Sequence, residues 1–224
     1  MTTPHSKWPL GFENSKLSGL YAREMYWLAW QIKMKADELF QKYPVQAGEP
    51  FLSTDISGFD LIYSLLSNAA KLNELLYPKR KDQEYKERAA CLRGLIGGLQ
   101  LKHLCDKKVR NTVEHFAEHL DRHNLQHSGF SSPTRYVVLF NFVLSHMEPV
   151  HVPSIPFQLY STPMAPVPVL PVRVYVTSAR TFHNFCWSVD IAGLSDEANH
   201  VAAKLASQFA EENPEDWVSL IVHL

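Results

Sequence analysis

Asp106-Lys-Lys-Val-Arg-Asn-Thr-Val-Glu-His-Phe-Ala-Glu-His-Leu-Asp-Arg-His123 is the stretch on which the expected fold turns. Val109, Val113, Phe116 and Leu120 recur at steps of four, three and four, the spacing of one narrow core-facing stripe on a helix. The remaining surface of that helix is polar. Asp106 suits its N-cap, and Ser128-Gly129 ends it just after His127.

Upstream, Ser18 to Tyr43 carries Leu20, Trp27, Leu28, Trp30, Ile32, Met34 and Leu39 as a broad apolar face, and Pro44 stops it. Phe59, Ile62, Leu65, Leu66, Ala69, Leu72 and Leu76 make a second helix, with Ser57 or Asp55 as cap and Tyr77-Pro78 as terminator. The charged run Lys79 to Arg88 leads into a third, which holds Ala89, Cys91, Leu92 and Leu95 and closes at Gly97-Gly98. Short connections between four such helices favour antiparallel neighbours. The expected fold is therefore mainly α: an antiparallel up-and-down helical bundle over residues 18–127, followed by a C-terminal β-hairpin and helix.

That second part, residues 130–224, has another character and is expected to be an α+β extension. Tyr136 to Leu144 is β-branched and aromatic and reads as a buried strand, with a short helix as the alternative. Residues 149–171 hold half of the 14 prolines, which rules out regular helix and leaves extended or polyproline-like chain crossing between elements. Val172 to Val176 and Phe182 to Ile191 flank the polar turn Ser178 to Thr181 and predict a β-hairpin. Ser195-Asp-Glu opens a helix reaching Glu212, and Asn213-Pro-Glu-Asp has the composition of a new helix start.

Composition sets wide bounds. Of 224 residues, 46% are hydrophobic and 20% charged, an ordinary globular balance. The formal net charge of -1 gives no bulk signal for a polyanion partner, so any basic patch must be local. The three cysteines, Cys91, Cys105 and Cys186, lack zinc-ligand spacing and read as free thiols. No signal-peptide pattern or membrane-length apolar run is visible, and the expectation is a cytoplasmic protein without a membrane partner.

The polar side of the 106–127 helix concentrates chemistry. Asn111 and His115 are four apart and so neighbours, as are His115 and His119, and Arg110 can swing toward the same end. An imidazole titrating near about 6.5 can take the proton of a ribose 2′-hydroxyl or give one to a leaving oxygen. A guanidinium can hold the non-bridging phosphate oxygens, and an amide can orient either group. No metal or other cofactor is needed when the substrate carries its own nucleophile. Arg110, Asn111 and His115 are the candidate catalytic residues. Lys107, Lys108 and His119 are the candidate substrate-binding ones.

Arg110-Asn-Thr-Val-Glu-His115 resembles the motif of HEPN domains, an arginine and a histidine separated by four to six residues with a polar residue after the arginine. The surroundings resemble a bacterial HEPN-like group as well: an apolar helix ending in Tyr77-Pro78, an Arg/Leu-rich third helix, then Arg-Asn-x-x-Glu-His-Phe. The likeness covers residues 18–127. It implies a homodimer in which the two motif helices meet and build one metal-independent ribonuclease site, acting in toxin, phage-defence or RNA-processing roles. RNA and an antitoxin-like protein are the partners it implies. Other members of the superfamily are inactive, so a noncatalytic dimerisation, interaction or nucleotide-binding module is the competing expectation.

Arg110 and Glu114 can simply pair at i,i+4, and Glu114 and Glu118 repel phosphate. His115, His119, His123 and His127 form a ladder at i,i+4 that could chelate zinc or nickel, but the order of the metalloprotease helix is absent, and no metal is expected. Lys79-Arg-Lys81 reads as solvated surface, and Tyr21, Tyr26, Trp27 and Trp30 as core. Cys105 stands two residues from His103, a spacing that fixes no nucleophile–base geometry.

Overall fold

The computed structural model describes residues 18–45, 51–80, 82–106, 111, 114–127, 137–152, 155–159 and 167–207. α1, Ser18–Lys42, buries Ala22, Met25, Ala29, Ile32, Ala36 and Leu39 at three- and four-residue steps, with Tyr26 and Leu28 widening the stripe. Trp27 and Met34 belong to its exposed side instead, and Trp27 stacks on Trp30 with ring centroids 5.2 Å apart.

α2, Phe59–Leu76, spans the predicted residues. Its N-cap is Gly58 rather than Ser57 or Asp55, because a side chain there has no room: a Cβ would lie 2.4 Å from the Tyr43 ring. The Gly58 N–H donates to the Tyr43 hydroxyl at 2.9 Å, and that hydroxyl donates to the Asp55 carbonyl at 2.8 Å. Asp55 instead accepts from the Ser57 N–H, shaping the turn into the helix. α3, Gln83–Leu95, packs on α2 and ends in Gly97 and Gly98, both left-handed at φ 66° and 71°. α4, Phe116–His127, is preceded by helical backbone at Asn111 and Glu114.

Among the described residues, seven strands follow or flank these helices in one mixed sheet: β1 Leu52–Ser53, β2 Val137–Leu144, β3 Glu148–Val152, β4 Ile155–Leu159, β5 Val167–Val176, β6 Thr181–Asn184 and β7 Trp187–Asp190. β5 is the centre. One edge pairs in parallel with β2 from Val169 to Val176. The other pairs antiparallel with β4 near Val167–Val169 and with β6 near Val174–Val176. β7 closes on β6, β3 on β4, and β1 on the end of β2. α5, Ile191–Ala206, is capped by Asp190, whose carboxylate accepts the Gly193 N–H at 2.9 Å.

The fold is therefore α+β, not the mainly-α bundle with a hairpin appendage that the periodicities suggest. The stripe of α1 is covered by α2 on one side and α5 on the other. One hydrophobic cluster joins these helices to Val143, Tyr175, Phe182 and Val189 of the sheet. Each fully buried leucine there, such as Leu65 or Leu72, is stabilised by roughly 1.5–3 kcal/mol through burial. The opposite face of the sheet buries Leu139, Leu144, Met147, Val169, Val174 and Val176 in a second cluster.

Two further expectations change. The proline-rich crossing segment supplies β3, β4 and the first half of β5, so its extended chain is paired chain. The strand expected over 182–191 is two strands broken by a turn at Phe185-Cys186, and the last helix begins at Ile191, ahead of Ser195. Residues 208–224, where its predicted end and the Asn213 helix start fall, lie outside the described residues.

Candidate functional site

Among the described residues, α4 meets the sheet through Phe116 and His119. Phe116 packs against Leu170, Val172 and Phe185 in a third cluster, with its ring 5.7 Å from that of Phe185. One turn on, the His119 imidazole lies over Phe185 at 6.4 Å. The Arg173 guanidinium sits between two rings, 4.9 Å from Phe116 and 4.4 Å from Phe140.

This anchoring leaves two of the predicted residues, Asn111 and His115, in solvent. Asn111 and His115 are exposed and one turn apart, the His115 N–H donating to the Asn111 carbonyl at 2.9 Å. The His115 side chain is 53% accessible, so solvent or a ligand reaches it, and its Nδ1 stands 3.5 Å from the Glu118 carboxylate. His119 is half-buried and takes part in the sheet contact. Lys107, Lys108 and Arg110 lie outside the described residues, as do the side chains of His123 and His127. Among the described residues no three histidine, cysteine or carboxylate side chains gather as metal ligands.

The sheet brings polar groups to the same neighbourhood that the sequence reading passed over. Asn184 is fully buried, and its Oδ1 accepts the Arg173 N–H at 3.3 Å. Among the described residues, Asn184 Nδ2, Asn141 Oδ1 and Arg173 Nε are buried without a hydrogen-bond partner. Asn141, Arg173 and Phe185 all take left-handed backbone, at φ 60°, 57° and 56°. Beside them His183 is 7% exposed, its Nε2 2.7 Å from the Thr181 hydroxyl, and burial pushes its imidazole down to about 4. The sequence does carry a signal for this group: an amide or a cation in the middle of an apolar strand, Asn141 within Val137–Leu144 and Arg173 within Val167–Val176.

His103 and Cys105 do not act as a pair. The His103 ring lies against Gly193, where a Cβ would come within 2.7 Å of Nε2, and its Nδ1 is 4.0 Å from Asp190. The Cys105 thiol meets the Tyr77 hydroxyl, which burial, more than that neighbour, pushes above its ordinary range. The Glu197 carboxylate accepts the N–H groups of His103 and Leu104 at 2.9–3.0 Å, tying this turn to α5.

No helix among the described residues is long and apolar enough to cross a membrane. No family model, curated protein or solved structure matches this chain.

Proposed function

We propose that this chain is a metal-independent RNA-cleaving protein acting as a homodimer, with the exposed face of α4 as its site. The observation that carries the reading is the division of that helix: Phe116 fixes it to the sheet, while Asn111 and His115 stay in solvent. Both side chains are reachable from solvent, and an exposed imidazole can exchange a proton with a ribose hydroxyl or a leaving oxygen. Arg110, the residue before Asn111, supplies the guanidinium for developing charge on phosphate, and Lys107 and Lys108 extend the attraction to the backbone. Glu118 orients the His115 ring. The reading rests on the chemistry of these residues, not on the four-helix bundle that the sheet replaces.

Dimerisation is the second part of the proposal. Leu120 on α4 and Val138 and Phe140 on β2 are 41%, 51% and 46% exposed, a cost that an isologous interface removes. Such an interface would bring two copies of the Asn111 and His115 face together. The same apolar surface favours the second reading, a noncatalytic module that uses it to bind a protein partner.

The test is incubation of the full chain with RNA in EDTA, beside His115→Ala. Cleavage leaving 2′,3′-cyclic phosphate and 5′-hydroxyl ends, lost in the variant, is the expected result. Intact RNA with the wild-type dimer sinks the catalytic reading and leaves the interaction module. Cleavage that vanishes in EDTA and returns with zinc sinks the metal-independent mechanism.

A further inference from the structure

A concentration of positive charge lies away from α4. Where α2 ends and α3 runs back past it, a cleft of about 310 Å³ is lined by Tyr77, Lys79, Arg80, Lys86 and Arg93, with Pro78 and Ala89 completing the wall. Among the described residues, no carboxylate lines it. A chain whose formal net charge is -1 has thus placed four cations around one concavity.

Two of the four are held in place. The Arg93 guanidinium stacks on Tyr77 at 5.2 Å and donates from Nη1 to the Leu76 carbonyl at the end of α2. The Arg80 guanidinium stacks on Tyr85 at 5.0 Å and donates to its hydroxyl at 2.6 Å. Each of these contacts uses one nitrogen of a five-donor fork and leaves the others for a ligand. Cations fixed before binding lose little entropy when a ligand arrives. Lys79 and Lys86 are exposed, and among the described residues neither forms an ion pair. Glu74, in the last turn of α2, accepts the Lys79 backbone N–H at 3.3 Å.

We propose that this cleft binds a diphosphate group, either free or carried as the tail of a larger molecule. A single phosphate would leave most of the positive charge unmatched, whereas two adjacent phosphates can engage both guanidinium forks and both ammonium groups. The volume lies at the small end of ligand sites, which suits a compact anion and excludes a large apolar ligand. The site is separate from α4, and the proposal stands whether or not the α4 reading does.

The test is calorimetry on the full chain at low salt with three probes: inorganic pyrophosphate, ADP and adenosine. Pyrophosphate and ADP are expected to bind, more weakly as salt rises, and adenosine is not. The tighter of the first two tells a free anion from a tail. Lys79→Ala with Lys86→Ala, both on exposed side chains, should weaken binding on the order of tenfold or more without changing the RNA assay of α4. Adenosine binding as well as ADP, no binding of either anion at millimolar concentration, an unaffected double variant, or a site that takes only an RNA oligomer would each overturn the proposal.

Discussion

Asn141 on β2 and Arg173 on β5 stand at the same level of two parallel strands and share the same left-handed backbone, φ 60° and 57°. Each falls between the paired residues Phe140↔Val172 and Phe142↔Val174. The effect is visible in the packing: Val169 shares a cluster with Val174 and Val176, and Leu139 with Leu144. Regular alternation would put Val169 on the face opposite Val174 and Val176, and Leu139 opposite Leu144. Both strands change phase together, so the same face stays apolar along its whole length.

That backbone sets the first prediction. Asn141→Gly should leave stability within about 0.5 kcal/mol of wild type, because glycine adopts positive φ freely. Asn141→Ala should cost about 1 kcal/mol or more, although the Asn141 Oδ1 it removes has no partner among the described residues. Urea unfolding of the two variants checks the order, and equal losses would remove backbone conformation as the cause.

Phe116 and His115 are adjacent in sequence but predicted to be opposite in consequence. Phe116→Ala should destabilise by about 2 kcal/mol, less than a fully buried phenylalanine because this one is half-buried, and should speed amide exchange along α4 ahead of α1. His115→Ala should change stability by no more than about 0.5 kcal/mol. An unfolded His115→Ala protein would contradict the assignment of that face.

His183 makes stability depend on pH. Its folded-state pKa of about 4 lies below the ordinary value of 6.5, so between these limits the unfolded chain binds a proton that the folded one refuses. The stability associated with its neutral form is complete above about pH 6.5 and is lost as pH falls toward 4, by about 3 kcal/mol in all. His183→Gln removes the group. Unfolding curves at several pH values should show wild type losing stability faster than the variant through that window, and parallel curves would contradict a buried neutral imidazole.

Glu197→Ala should cost about 1–3 kcal/mol by leaving the N–H groups of His103 and Leu104 without their acceptor. Gly193→Ala should destabilise through a different route, forcing the His103 ring off the start of α5. If Gly193→Ala is neutral by thermal unfolding, the ring is free to swing and the close approach carries no constraint.

The helices were legible because their stripes are local: Phe59 to Leu76 announces its own period whatever covers it. What covers it was not legible. A stripe on α1 looks the same whether a fourth helix of a bundle or α5 and the sheet lie against it, and this is why the expected fold class was wrong. Pro149, Pro156, Pro168 and Pro171 hid three strands, since each lacks a ladder donor, yet Pro168 still faces Gln158 and the Pro171 carbonyl accepts from Phe185 at 2.7 Å. At the candidate site, Phe116 of the expected core-facing stripe meets the sheet, whereas Leu120 is exposed and Val109 and Val113 lie outside the described residues. Arg173, Asn184 and Phe185 were not legible, because they reach α4 only through strand pairing distant in sequence.

The Glu197 carboxylate also bears on the order of synthesis. The turn at His103 and Leu104, from which the chain proceeds to α4, is secured by a side chain made more than ninety residues later. Phe185 and Arg173, which hold α4 itself, also come late. A nascent chain that has emerged only as far as His127 has the α4 residues but none of these supports, so the seating of α4 on the sheet is completed only when the last described helix has left the ribosome.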